Sequence, residues 1–182
     1  MTAALSIPVL ETERLRLRGF CEDDLDAFAE FCANEALTRF IGGTSDRRGT
    51  WGRIAMYLGH WVLRGYGHWA IEEKASRRFV GYTGLWNPDG WPEPEVIWGL
   101  MAEVHGRGYA TEAARRVREH AYRELGWRTA VSYIAPENAP SQRVAQRLGT
   151  ILEGEIKLGT RTVGIHRHPG PETMNSNKPD QR

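Results

Sequence analysis

The spacing of hydrophobic and polar positions changes several times along the chain, and each change marks an element. Residues 96–101, VIWGLM, are mostly apolar at alternate and intervening positions, the pattern of an interior strand covered on both faces. From Ala110 onward the period becomes helical. Ala110, Ala113, Ala114, Val117, Ala121 and Leu125 form one stripe, Glu and Arg fill the rest, and Gly126 stands at the stop. Upstream, Leu15 and Leu17 alternate with Arg14, Arg16 and Arg18, which predicts a strand buried on one side with its arginines toward solvent or a neighbouring loop. Glu22, Asp23 and Asp24 open a helix whose inner side is Leu25, Phe28 and Cys32. Ile54, Tyr57, Leu58 and Trp61 predict a second helix over about 50–63, with Trp61 in the core. Residues 67–73 and 79–85 read as a hairpin. Residues 129–134 read as a strand broken by Pro136-Glu137-Asn138, and Pro140 suits the first turn of a helix that Gly149 ends. Two more strands are predicted at 151–157 and 162–166.

The pattern gives one domain over 11–169, preceded by an arm, 1–10, and followed by a polar tail, 170–182, expected to be disordered. A chain of 182 residues can bury a sizeable core, and 41% hydrophobic with 26% charged residues is ordinary for a globular protein. With 24 basic against 23 acidic residues, binding to nucleic acid or a membrane surface through bulk charge is not expected. No apolar run approaches a bilayer span and no basic-then-apolar leader opens the chain, so a cytoplasmic location is expected. Cys21 and Cys32 lie roughly 16 Å apart on helical rise, too far for a disulfide, and neither has a metal-binding neighbourhood, so free thiols and no metal are expected.

Chemistry concentrates between the interior strand and the long helix, at His105-Gly106-Arg107-Gly108-Tyr109-Ala110. A loop opening straight into a helix presents unpaired amides and the positive end of the helix dipole, a setting for phosphate. Glycines there also serve ordinary turns. A nucleotide P-loop is excluded because no Lys-Ser or Lys-Thr follows, and the dinucleotide fingerprint lacks its third glycine.

The string HGRGYATEA, preceded by EVIWGL, followed by PENAPSQRVAQRLG and foreshadowed by ETERLRLR at 11–18, resembles the GNAT acetyltransferases, in particular their RimJ/RimL-like N-acetyltransferase branch. The resemblance implies an α/β (α+β) GNAT fold. Its mixed, mostly antiparallel sheet would have six to seven strands, helices on both faces, and a splay between the fourth strand, 96–101, and the fifth, 129–134. It implies acetyl-CoA as co-substrate and no metal. Gly106, Arg107, Gly108, Tyr109, Ala110 and Thr111 would hold the pyrophosphate, with His105 where Gln or Arg is usual. Amides of Leu100 and Met101 would bond the pantetheine arm, by the logic of an added strand, and Gly99 within that strand marks a bulge or a close backbone approach. Asn138 matches the pantetheine-contacting asparagine, and read locally is equally a helix cap.

The tyrosine that many GNAT enzymes place seven residues after that asparagine is Ala145 here. Ser141, three residues after it, takes the branch's position for stabilising the departing thiolate; read locally, it is a serine bonding its own helix. Acceptor-pocket expectations fall on Phe40 and Trp51 of the helical wall and on Trp86 and Trp91 of the loop 86–94. Trp51 and Phe40 are equally readable as core aromatics, and that loop as an ordinary surface turn. Glu95 is expected to act as base, followed by Glu72 and Glu93. The implied reaction moves an acetyl group to a primary amine, a protein N-terminus or a small molecule, by direct attack in a ternary complex; the alternative is an acyl-CoA binding module without transfer. A homodimer is common in the branch.

Overall fold

A computed structural model describes residues 5–175. Its strands are β1 (Leu10–Glu11), β2 (Leu15–Arg18), β3 (His68–Glu73), β4 (Phe79–Trp86), β5 (Glu95–Leu100), β6 (Val131–Ile134), β7 (Ile151–Leu158) and β8 (Arg161–Arg167). Its helices are α1 (Leu25–Ala33), α2 (Glu35–Thr38), α3 (Arg47–Arg64), α4 (Tyr109–Arg123), α5 (Ala139–Arg147) and α6 (Pro171–Asn175). The strands form one sheet in the order β1-β2-β3-β4-β5-β6-β8-β7. Every neighbouring pair is antiparallel except β5–β6.

Eight strands replace the six to seven expected. The addition is β1, two residues at the end of the expected arm, where Leu10 is buried and pairs with Leu17. The expected tail begins as α6; residues 176–182 lie outside the described residues. The helix predicted over 50–63 starts at Arg47, because the Asp46 carboxylate accepts the Gly49 amide and caps it.

Helices cover both faces of the sheet, as two neighbours in β3 demonstrate. The His68 ring stacks on Tyr57 in the middle of α3 at 3.9 Å, whereas the next residue, Trp69, meets His120 of α4 edge-on at 5.6 Å and Trp61 in the last turn of α3 at 4.7 Å. Successive strand residues face opposite ways, so α4 lies on the side opposite the middle of α3. On the α1/α3 side Phe20, Phe28, Phe31, Tyr57, Phe79 and Tyr82 form an aromatic core with tilted and edge-on contacts. Gly99 belongs to this packing: a Cβ there would come within 2.5 Å of the Tyr82 ring. Of the two expectations for Gly99, the close approach holds and the bulge does not. The register of β5 is regular, and the irregularity lies between β3 and β4, where Ile71 pairs with Gly81 and Glu72 with Phe79 so that Val80 is the extra residue.

One feature of the sheet positions everything that follows. The parallel pair β5–β6 meets at a single register position, Glu95 with Val131, where the Val131 amide donates to the Pro94 carbonyl. One step on, a parallel ladder would send the Tyr133 amide to the Val96 carbonyl. Instead the Tyr133 amide donates to the Glu95 carboxylate at 3.0 Å, and the Val96 carbonyl accepts the Ser132 hydroxyl at 2.6 Å. Side chains have taken both ladder groups, and the strands diverge.

Candidate functional site

Two cavities flank the divergence and share Phe40, Ile41, Trp98, Asn138 and Ser141. The first, about 370 Å³, is built around the start of α4. Gly106 and Gly108 adopt φ of 80° and 82°, the left-handed region that glycine occupies without strain. This turns the amides of Tyr109, Ala110 and Thr111, which have no partners within the helix, toward the cavity that these residues line. The Thr111 hydroxyl is buried in the same wall without a hydrogen-bond partner. Arg39, Arg143 and Arg147 also line the cavity, and no carboxylate does. Orphan amides, an orphan hydroxyl and three guanidiniums suit a polyanion such as the diphosphate of coenzyme A.

The structure sorts the residues expected on this side. His105, Gly106, Gly108, Tyr109, Ala110, Thr111, Leu100, Asn138 and Ser141 line the cavity. His105 spends Nε2 on the Leu100 carbonyl at 3.0 Å. Arg107 is not part of the lining: its amide donates to the Val104 carbonyl and its guanidinium turns to Glu73 at 3.5 Å. Met101 is corrected as well. Its amide donates to the Val80 carbonyl at 3.0 Å, so it belongs to the β4 ladder and is not free for a ligand. Strand alternation leaves the Leu100 and Trp98 amides on the open side. The Asn138 side chain accepts the Ser141 amide at 3.3 Å as the cap of α5, leaving its NH2 without a hydrogen bond among the described residues. Ala145 is fully buried inside α5.

Arg14, expected to face solvent or a neighbouring loop, reaches the loop before α4 and braces it. It bonds the Arg107 carbonyl at 3.0 Å, pairs with Glu112 of α4 and lies over the Tyr109 ring. Only its alternation with leucine was visible in the sequence.

The second cavity, about 470 Å³, opens on the other side. Of the four residues expected in an acceptor pocket, Phe40, Trp86 and Trp91 line this cavity; Trp51 does not, being 59% exposed on α3. Glu95 lies in its wall, 6% exposed, with Oε2 accepting the Trp91 indole and Oε1 the Tyr133 amide, both at 3.0 Å. Burial raises its carboxyl to about 8, against the pull of these two donors. No cation pairs with it among the described residues. Glu72 and Glu93 are instead bound to Arg18 and Arg167 and line neither cavity.

Behind Glu95 runs a buried chain that sequence reading did not find. An Arg118 guanidinium N–H donates to His168 Nδ1 at 3.2 Å, since guanidinium has only donors. The remaining proton of His168 therefore sits on Nε2 and is given to the Ser132 hydroxyl at 3.0 Å, which gives its own to the Val96 carbonyl. Burial, then the adjacent Arg118, lowers His168 to about 3, so the ring stays neutral. These residues are 14 and 36 positions apart in sequence, and nothing local announces them.

The geometry meets an independent finding in the comparisons. An acetyltransferase from Agrobacterium tumefaciens str. C58, known as a crystal structure, is 33% identical, with a TM-score of 0.82 over 93% of this chain and 98% of that one. The uncharacterized N-acetyltransferase YoaA of Bacillus subtilis (strain 168) is 24% identical over 82% of this chain and 86% of its own length. RimL, a ribosomal L7/L12 alpha-N-protein acetyltransferase solved in complex with coenzyme A, shares the fold at 18% identity, a TM-score of 0.75 and coverage of 88% of this chain and 97% of that one. Residues 14–151 match the acetyltransferase (GNAT) domain, and the chain belongs to that family.

Proposed function

We propose that this protein is an acetyl-CoA dependent N-acetyltransferase of the RimJ/RimL-like branch, transferring to a primary amine by direct attack in a ternary complex. The observation that carries the reading is the meeting of the two cavities at Asn138 and Ser141, with an anion cradle on one side and an unpaired buried carboxylate on the other. Acetyl-CoA supplies an activated acetyl thioester. Gly106, Gly108, Tyr109, Ala110 and Thr111 would hold its diphosphate through their amides and the Thr111 hydroxyl, with Arg39, Arg143 and Arg147 balancing charge. The Leu100 and Trp98 amides and the Asn138 NH2 are available to its amide-bearing arm.

An alkylammonium is almost fully protonated at neutral pH and must lose a proton to attack. Glu95, raised to about 8, is matched to that proton far better than an ordinary carboxylate. The Trp91 and Tyr133 donors fix its orientation. The Ser141 hydroxyl, at the seam, donates to the departing thiolate. Ala145 and His105 at family positions motivate the second reading, a binding module without transfer; the unpaired Glu95 in the cavity wall favours the enzyme.

The test is thiol release from acetyl-CoA on adding a panel of amines. Binding of coenzyme A without release for any amine would establish the module instead. Ser141→Ala is expected to lower kcat by roughly tenfold to a hundredfold, as for loss of one hydrogen bond to a charged group, with coenzyme A affinity retained by calorimetry. Unchanged turnover removes Ser141 from the mechanism.

A further inference from the structure

The larger cavity carries charges that Glu95 does not account for. Arg53, half-buried on α3, lines it; its guanidinium donates to the Gly43 carbonyl at 3.2 Å and also bonds the Cys32 thiol. Arg161, at the start of β8, lines it too. Among the described residues neither guanidinium has a carboxylate partner within 4 Å. Glu95 is the only acid in the lining. The phenol of Tyr82 lies in the same wall, and the charges of Arg53 and Glu95 act on it with opposite sign.

A polyamine or an aminoglycoside would bring several positive charges to two guanidiniums and a single carboxylate, a net repulsion in a partly desolvated cleft. A ligand with one amine and one anion reverses the sign: the amine meets Glu95 and the anion meets Arg53. Guanidinium offers a planar fork that matches a carboxylate. The rest of the wall is largely aromatic, with Phe40, Trp86, Trp91 and Tyr133 suited to a side chain, and the Tyr133 hydroxyl lies buried without a hydrogen-bond partner among the described residues. About 470 Å³ suffices for a compact molecule.

Resting on the transferase reading above, we infer that the acceptor is a free amino acid with an apolar or aromatic side chain, its α-carboxylate read by Arg53. The experiment compares matched pairs: phenylalanine against 2-phenylethylamine, tryptophan against tryptamine, and leucine against isoamylamine, with spermidine and a phenylalanyl tripeptide amide alongside. For at least one pair the amino acid is expected to exceed its decarboxylated partner in kcat/KM by tenfold or more. Arg53→Gln is expected to bring that ratio near unity, mainly through KM, and Arg53→Lys to leave it between the two. The ratio is internal to each variant, so partial loss of folded protein does not mimic the effect. Decarboxylated amines, spermidine or the tripeptide amide performing best, or a ratio unmoved by Arg53→Gln, overturns the inference and leaves the transferase standing. Thiol release with none of these or any other amine, while coenzyme A still binds, ends the transferase reading and the inference with it.

Discussion

The two cavities are made of different material. The side at the head of α4 is made largely from main chain: glycines in the left-handed region, helix-start amides, a hydroxyl one turn in, all within seven consecutive residues. The side around Glu95 is made from side chains drawn from α3, the loop 86–94, β5, β6 and β8. A main-chain site recognises what every ligand of the family has in common and is insensitive to side-chain identity except where glycine is required. A side-chain site recognises what differs between ligands, and every wall can be altered one residue at a time.

The largest expected effect lies on the side-chain side. Glu95→Gln removes the proposed proton acceptor and keeps the shape, so kcat/KM should fall by roughly 10² to 10³ with coenzyme A affinity intact. In the unaltered protein kcat/KM should climb with pH until about 8; the variant should lose that limb. The same substitution tests the burial of the carboxyl through stability. The folded value is raised above the unfolded 4.5, so this group's contribution is complete below about 4.5 and is lost as pH rises to about 8. Thermal melts should therefore show Glu95→Gln gaining on the native protein between pH 5 and pH 9. A constant difference across that range would mean that Glu95 ionises normally.

On the main-chain side, Gly108→Ala should act through backbone conformation alone. At φ 82° an alanine Cβ would have only an Arg14 nitrogen within 4 Å, at 3.6 Å, so nothing clashes. The left-handed conformation itself costs an L-residue roughly 1–2 kcal/mol, on the order of tenfold in affinity if the loop relaxes out of it. Calorimetry should report about tenfold weaker coenzyme A binding, while the pH limb from Glu95 persists. Were that limb to move as well, the two cavities would be coupled more tightly than their construction implies.

This division also decides what the sequence could reveal. The cradle was legible because its parts are contiguous: HGRGYAT carries glycine, helix start and hydroxyl in one string. Asn138 and Ser141 came into view only through the likeness of PENAPS to the family motif, since locally they read as a cap and a helix-bonding serine; the fold places both where the two cavities meet. Most of the fold followed from period changes, with β1 missed because two residues show no period. Met101 was misassigned because only register decides which strand amides face the ladder, and Trp51 because spacing in a helix's first turn does not fix which side meets solvent. Arg53, Arg161 and Tyr133 share a wall only after the sheet is assembled, and no local signal could join them. His168, in a segment of ordinary strand-end composition, was equally silent.

The smallest effect in activity, and the sharpest on geometry, belongs to Ser132. Its hydroxyl takes the Val96 carbonyl away from the Tyr133 amide and thereby leaves that amide to Glu95. Ser132→Ala strips His168 Nε2–H and the Val96 carbonyl of their shared partner, at a cost of about 2 kcal/mol, or roughly 4–8 °C in the melting midpoint. The freed carbonyl is then open to the Tyr133 amide, the ladder position it occupies in a continuous parallel pair. If the strands close by that one bond, Glu95 loses a donor that favours its charged form, its pKa rises above about 8, and the activity limb shifts to higher pH by a fraction of a unit. Turnover at pH 7 would fall only a few-fold, and recover at pH 9. A variant that melts earlier but keeps the limb in place would show that the Arg118–His168–Ser132 chain holds the fold together without setting the carboxylate, and that the divergence of β5 and β6 is maintained elsewhere.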